Sequence, residues 1–249
     1  MAKRKTVNTT INDAEISRFS ALAGQWWNPS GPMAPLHKLN PVRLDYIKSK
    51  ITEHFKDPKH ITILDMGCAA GLVSEPLAQW GAPEKISVTG IDASEKLIAA
   101  AQHHAQENNV NVTYRTSDVD ALVAAKETYD VVLALEIIEH VDEQAHFVKQ
   151  AATLLKENGL MIFSTLNRSP KGFLLGIIGA EYILRWLPRG THDWRQFVKP
   201  SELSGWLSAA GMNTDEIVGL CYNPLSGTFS INAADVDVNY IITATPNRA

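Results

Sequence analysis

Apolar residues recur at two different spacings along this chain. Over residues 12–23 (NDAEISRFSALA), Ile16, Phe19 and Leu22 or Ala23 fall on one helical face, and Asn12 or Asp13 is suited to cap the first turn. The stretch QWWNPSGPMAPLHKLNP that follows reads as loop, because proline, glycine and asparagine punctuate it. Helical spacing resumes over 41–55 (PVRLDYIKSKITEHF), with Pro41 placed in a first turn. Beyond it, short apolar runs alternate with helix-length segments. Strands are predicted at 61–67, 86–92, 112–118, 129–136 and 160–166. Between them lie helices at 72–81, 94–109 and 142–159, the first and last closed by Gly81 and Gly159. An apolar insertion (170–190), a helix near 200–210 and extended runs at 215–222 and 236–244 complete the pattern.

Strands alternating with helices imply an α/β fold of Rossmann-like type: a mostly parallel sheet covered on both faces. Nothing marks a domain boundary, so residues 1–249 are expected to form one domain, with 12–55 as an N-terminal helical cap and 170–190 as a lid. Composition narrows the partners. Net charge is −4, and basic residues are scattered apart from the opening MAKRKT, so no field for nucleic acid is expected. Two cysteines, Cys68 and Cys221, cannot build a disulfide framework, which suits a reducing compartment. No signal peptide is read, and no apolar run reaches the ~20 residues of a membrane span. A cytoplasmic protein is expected, with peripheral attachment to the inner membrane left open.

The chemistry concentrates where the first strand ends, at Leu64-Asp65-Met66-Gly67-Cys68-Ala69-Ala70-Gly71. Ligands of open α/β sheets bind outside the carboxyl ends of the strands. Gly67 permits a tight turn, Gly71 lets the next helix pack closely, and small Ala69 and Ala70 keep the floor low. The second strand ends at Asp92, whose carboxylate can accept hydrogen bonds from both hydroxyls of a ribose. A purely structural turn is the competing reading. The G-x-G-x-x-G fingerprint of dinucleotide sites is missing, since position 69 is Ala, and acidic Asp65 precedes the turn. Those features favour a cationic ligand, S-adenosylmethionine, over a pyrophosphate. Asp118 is a candidate for the adenine amine or a simple cap, and Leu135 for covering the adenine or for the core.

Taken together, RFSALAGQWWNPSGPMAPLHKLNPVRLDYI, ILDMGCAAG, LEIIEHV, FSTLNRS, GAEYILRWLPRGTHDW and VDVNYI resemble the ubiquinone-biosynthesis O-methyltransferase family over residues 15–242. The resemblance implies a class I methyltransferase fold with a seven-stranded sheet, closed by the two C-terminal extended runs. It further implies methyl transfer from S-adenosylmethionine to phenolic hydroxyls of polyprenylated rings. The family's donor-binding positions correspond to Arg43, Gly67, Asp92 and Leu135. Members often carry glycines where this chain has Ala69-Ala70. Methylation of another small aromatic or of RNA, and a catalytically silent role in a quinone-synthesis complex, are the alternative functions.

A phenolic hydroxyl with a pKa near 10 must be ionised before it can act. Glu136-Ile137-Ile138-Glu139-His140 follows the fourth strand, and its two carboxylates and imidazole are candidate ligands for Mg²⁺ or another divalent ion. A metal-free route gives the proton to His140, with the glutamates orienting it; capping of the helix near Asp142 is the bland alternative. His192 is read as a loop residue or an extra ligand, and His103 and His104 as helix surface. Arg43 is suited to grip the donor's carboxylate, and Trp26, Trp27 and His37 to cap the site. The segment 172–188 is too short and too charged to span a bilayer, since it carries Glu181 and Arg185. An interfacial helix is expected there, with Tyr182 and Trp186 at headgroup level and Lys171, Arg185 and Arg189 against an anionic surface.

Overall fold

A computed structural model describes residues 12–56, 58–80, 85–174 and 193–247. The β1 (Ile61–Met66), β2 (Ile86–Asp92), β3 (Thr113–Thr116), β4 (Tyr129–Leu135) and β5 (Leu155–Leu166) strands are parallel neighbours. Three more, β6 (Met212–Asn223), β7 (Thr228–Asn232) and β8 (Asn239–Pro246), complete one sheet in the order β3-β2-β1-β4-β5-β8-β6-β7. β8 runs antiparallel to both β5 and β6, and β6 and β7 form an antiparallel hairpin.

Alternation along the strands sends apolar side chains to two cores. Leu64, Val132, Met161, Phe163 and Ile242 pack into one, beside α5 (Val119–Ala124), α6 (Gln144–Thr153) and α8 (Pro200–Ala209). Ile63, Val131, Leu133, Ile162 and Ile241 pack into the other, with α2 (Ala34–His54) and α3 (Ser74–Trp80). The α4 helix (Glu95–Glu107) lies against β2 and β3, its first turn capped by the Ser94 hydroxyl, which accepts from Leu97 N. The short α1 (Asp13–Ser20) is capped by Asn12 and crosses above the strand ends. A single turn, α7, covers Pro170–Gly172.

The expected strands and most helices stand close to their predicted positions, with instructive exceptions. The α2 helix starts at Ala34 rather than Pro41, running through part of the expected loop. Pro35 sits in its first turn, while Pro41 lies inside it, where a proline removes one helical hydrogen bond. Burial of Leu39, Asn40, Arg43 and Leu44, with Asn40 Nδ2 donating to the Leu72 carbonyl at 2.9 Å, holds the helix continuous. The helix expected to reach Gly159 ends at Thr153, and β5 begins at Leu155. Lys156 Nζ reaches Asp130 of β4 at 2.8 Å, which draws this stretch against that strand. Residues 156–159 bulge between the pairs Tyr129–Leu155 and Val131–Leu160. Gly159 is there for close approach, since a Cβ would lie 2.6 Å from Leu155. Two short elements were not foreseen, α5 and β7. β7 makes the sheet eight-stranded instead of seven. Residues 175–190 of the expected lid and His192, like the basic start, lie outside the described residues.

Candidate active site

A cavity of about 520 Å³ opens at the carboxyl ends of β1, β2 and β4, roofed by α1 and the start of α2. Arg43, Asp65, Gly67, Asp92, Asp118, Leu135, Glu136, Glu139 and His140 all border it. Gly71 does not. With φ +91° and a would-be Cβ 2.1 Å from the Tyr114 hydroxyl, it serves the packing of the turn instead.

The turn after β1 is tied down from both sides. Asp65 is buried and accepts from the Ser74 hydroxyl at 2.6 Å; burial pushes its carboxyl up to about 6, against the pull of nearby Arg43. Asp92 Oδ2 accepts from Ala69 N at 3.1 Å, and Oδ1 from Ser94 N at 2.8 Å. The acid expected to meet a ribose therefore also clamps the glycine turn to the end of β2. Gly67 has φ +69°, and a Cβ would lie 2.2 Å from Ile137 Cδ1. Ala69 has φ +47°, left-handed backbone that a methyl group disfavours. Asp118 is the N-cap of α5, accepting from Ala121 N at 2.8 Å.

Arg43 is the buried cation of the cavity. Its Nη2 donates to Asn40 Oδ1, Nη1 lies 4.0 Å from Glu136, and Nε and Nη1 make no hydrogen bond. Desolvation lowers its pKa, opposed by Glu136, Asp65 and Glu139. Glu136 has left-handed φ (+53°) and accepts from Ser164 Oγ at 2.7 Å and from Asn239 Nδ2 at 3.0 and 3.1 Å. Glu139 is 5% exposed and accepts from Thr165 Oγ1 at 2.7 Å; burial and the Glu136 charge push it up to about 7, partly offset by His140. His140 Nδ1 lies 2.7 Å from Glu15 Oε2, and the edge of Phe19 meets its ring at 5.1 Å.

The expected metal triad is therefore not drawn to one point. Glu136 is turned to Ser164 and Asn239, Glu139 to Thr165, and His140 to Glu15. Among the described residues no group of three His, Cys, Asp or Glu side chains is disposed to hold a metal ion. His104 is also no plain surface residue: it stacks on Trp27 at 3.5 Å and lies 2.9 Å from Glu75, while Trp27 Nε1 donates to the Ala70 carbonyl at 2.8 Å. His103 is exposed as expected. His37 Nε2 meets the Trp26 carbonyl at 2.9 Å, and Trp26 packs with Phe19 and Leu97 beneath α1. Lys171, expected at an anionic surface, is paired with Asp235 and Asp237.

Several site residues escaped the reading of motifs. Ser164, Thr165 and Asn239 hold the two glutamates from neighbouring strands, and the β6–β7 hairpin adds an apolar wall of Leu220, Tyr222, Pro224 and Phe229. Asn239 stands inside the VDVNYI segment, but nothing local links it to residue 136. Glu15 was findable as an acid four residues before Phe19, hence on the apolar face of α1.

Comparison with known proteins agrees with this architecture. A family model described as a methyltransferase domain matches residues 41–217. The ubiquinone biosynthesis O-methyltransferase of Azorhizobium caulinodans is 47% identical, covering 98% of this chain and 97% of the relative. The protein of the same name from Sinorhizobium fredii is 45% identical over 96% and 98% of the two chains. Among solved structures, magnesium protoporphyrin IX methyltransferase from Synechocystis PCC 6803, with bound SAH, superposes with a TM-score of 0.66 at 21% identity, covering 94% of this chain and 100% of that one. At that identity the likeness concerns the fold.

Two substitutions test the turn. Ala69→Gly should raise unfolding stability by about 1 kcal/mol in chemical denaturation, because glycine takes the left-handed backbone without the Cβ cost. Asp65 binds its proton more tightly folded than unfolded, so its contribution is greatest below 3.8 and is lost as pH rises to about 6. Over that window the wild type should lose about 3 kcal/mol relative to Asp65→Asn. Parallel stability–pH curves would refute the assignment.

Proposed function

The chain belongs to the ubiquinone biosynthesis O-methyltransferase family, and from that membership together with the cavity we propose that it methylates phenolic hydroxyls of polyprenylated rings, using S-adenosylmethionine as donor. The observation that carries this reading is a single cavity with donor-type groups at one end and proton-handling groups at the other. Its size falls within the ~300–1,000 Å³ of small-molecule sites.

The residues present suit the donor. Arg43 keeps Nε and Nη1 buried without hydrogen-bond partners, the kind of donors a carboxylate tail needs. Asp65 and Asp92 place negative charge beside the Gly67 turn, where a cationic ligand is favoured, and Leu135 supplies an apolar surface for a purine. Asp118 can accept from an exocyclic amine while capping α5. When bound, S-adenosylmethionine supplies an electrophilic methyl on a positively charged sulfur.

The chain's own task is to hold the acceptor oxygen close and to remove its proton. Glu139 and His140 stand ready as proton acceptors, since Glu139 has been lifted towards neutrality by burial and Glu136. Glu136 is fixed on the acceptor side by Ser164, Asn239 and the Arg43 charge. The hairpin wall of Leu220, Tyr222, Pro224 and Phe229 offers the apolar contact a prenylated ring requires. As they stand, Glu136, Glu139 and His140 do not fit a three-ligand ion site. Chelation separates the two routes. Activity that survives EDTA belongs to the side chains alone, whereas activity restored by Mg²⁺ requires all three to swing from their present partners.

No helix among the described residues is long and apolar enough to cross a membrane. We also propose that 172–188 touches an anionic bilayer surface at the cytoplasmic face. Its sequence alone supports this, and Lys171 is not one of the contacts. Co-flotation with anionic liposomes should be lost when 172–188 is replaced by a polar linker; no flotation of the wild type would end the idea.

His140→Ala should lower kcat on a prenylated catechol by about 10²–10⁴-fold, with donor affinity by calorimetry changed less than about threefold. Equal losses in both would mark a packing role. Cells lacking the protein should accumulate a demethylated phenol or catechol by mass spectrometry. An unchanged quinone profile would overturn the assignment.

A further inference from the structure

Asn239 opens β8 and borders the cavity, opposite Leu166 of β5 in the antiparallel ladder. Side chains alternate along a strand, so Asn239 shares a face with Ile241, which belongs to the same core as Leu220 and Leu135. An amide at the end of such an apolar face is costly unless both of its polar halves are used. One half is used: Asn239 Nδ2 donates to the two oxygens of Glu136, at 3.1 and 3.0 Å. A carboxylate accepts hydrogen bonds, so the amide cannot be turned the other way round, and Oδ1 must find its own partner. Among the described residues nothing donates to Oδ1, although the atom is buried. A buried carbonyl left in that state is uncommon and unfavourable, and beside a cavity it points to a donor on the ligand.

The strand order says which ligand that is. Across the strand ends the sheet runs β2, β1, β4, β5, β8, with Asp92 and Gly67 at the first two and Asn239 at the last. At about 4.8 Å per strand, β8 lies about 14 Å from β1, away from the donor turn and on the side of the hairpin wall. We propose that Asn239 is a specificity-determining residue, whose Oδ1 accepts a hydrogen bond from the second hydroxyl of a catechol-type ring, the one that is not methylated. A neutral amide oxygen holds a hydroxyl proton but is far too weak a base to remove it. The hydroxyl seated there therefore stays protonated, and its neighbour on the ring is the one that takes the methyl group. Held by this bond and by the apolar wall of Leu220 and Phe229, the ring presents its reacting oxygen in one orientation. A hydrogen or a methoxy group at the same place leaves Oδ1 unpartnered, and a methoxy oxygen adds lone-pair repulsion. The site thereby selects dihydroxylated rings over monohydroxylated ones. This inference rests on the methyl-transfer reading given above.

Calorimetry on the full-length protein saturated with S-adenosylhomocysteine reads the preference without turnover. The probes are a geranylated catechol and the matching geranylated monophenol. The wild type should bind the catechol about 10–100-fold more tightly. Asn239→Leu keeps the branched shape but removes the acceptor, and should bring the two affinities to within about twofold. Asn239→Asp keeps an oxygen acceptor and should retain most of the preference. Ser164→Ala deprives Glu136 of a different hydrogen bond while leaving Oδ1 as it is. It should slow turnover of both rings alike and leave their affinity ratio unchanged, which a role confined to holding Glu136 does not predict for Asn239→Leu. Equal binding of the two rings by the wild type overturns the proposal. So does an Asn239→Leu protein that keeps the wild-type ratio, or a ratio that collapses equally in Ser164→Ala. Binding of neither ring would take the methyl-transfer reading down as well. A catechol preference without any turnover sinks the reaction alone, and the seat of the hydroxyl stands.

Discussion

A guanidinium buried among carboxylates governs how the top of this sheet is built. Asp65, near the end of β1, and Glu136 and Glu139, in the stretch after β4, crowd together where burial makes ionised acids costly and they repel one another. Arg43 is the positive charge that all three share in the described structure, and it reaches them from α2, which is not part of the sheet. A helix running unbroken through Pro41 is therefore a requirement of the site. Were α2 to start at Pro41, residues 34–40 would be free of the Asn40–Leu72 anchor that sets the height of Arg43 above the strands.

The same region stores backbone strain. Ala69 and Glu136, one at each of the two loops flanking the cavity, take left-handed conformations that glycine would adopt more easily. At Glu136 three hydrogen bonds from Ser164 and Asn239 hold the strained residue in place. The carboxylate consequently points across the sheet to β5 and β8 instead of out to solvent. At Ala69 the Asp92 carboxylate performs the corresponding service by binding its N–H. Donor-side and acceptor-side loops are thus shaped by one device, an acid or amide on the neighbouring strand.

Much of this could be read from the residues in order. β1, β2 and β4 are apolar runs flanked by turn residues, and their ends carry the acids and glycines, so Asp65, Gly67, Asp92 and the Glu136–His140 stretch could be placed at strand ends. What sequence order conceals is direction and partnership. Three ligand-type side chains within five residues suggest a common target, yet the φ of Glu136 and the partners Thr165 and Glu15 send them three ways. Gly71 reads like a ligand contact, but Tyr114 requires the space its side chain would fill. Asn239 and Glu15 are more than a hundred residues from the groups they touch, and no local spacing encodes such a meeting. β7 is half exposed on alternate positions and short, so its run of TFSIN carries little signal beside a buried strand.

The sheet order carries a consequence for how the protein is made. β8 is the last of the eight strands to leave the ribosome, yet it lies between β5 and β6, with Tyr240, Ile241 and Ile242 fully buried. Until it arrives, β5 presents an open edge, and the hairpin of β6 and β7 has no sheet to join. Nascent chains must therefore carry exposed, pairing-competent strand edges through most of translation, a state prone to association with other chains. Messages cut short before codon 239 would be expected to yield insoluble or degraded material instead of a partly working enzyme.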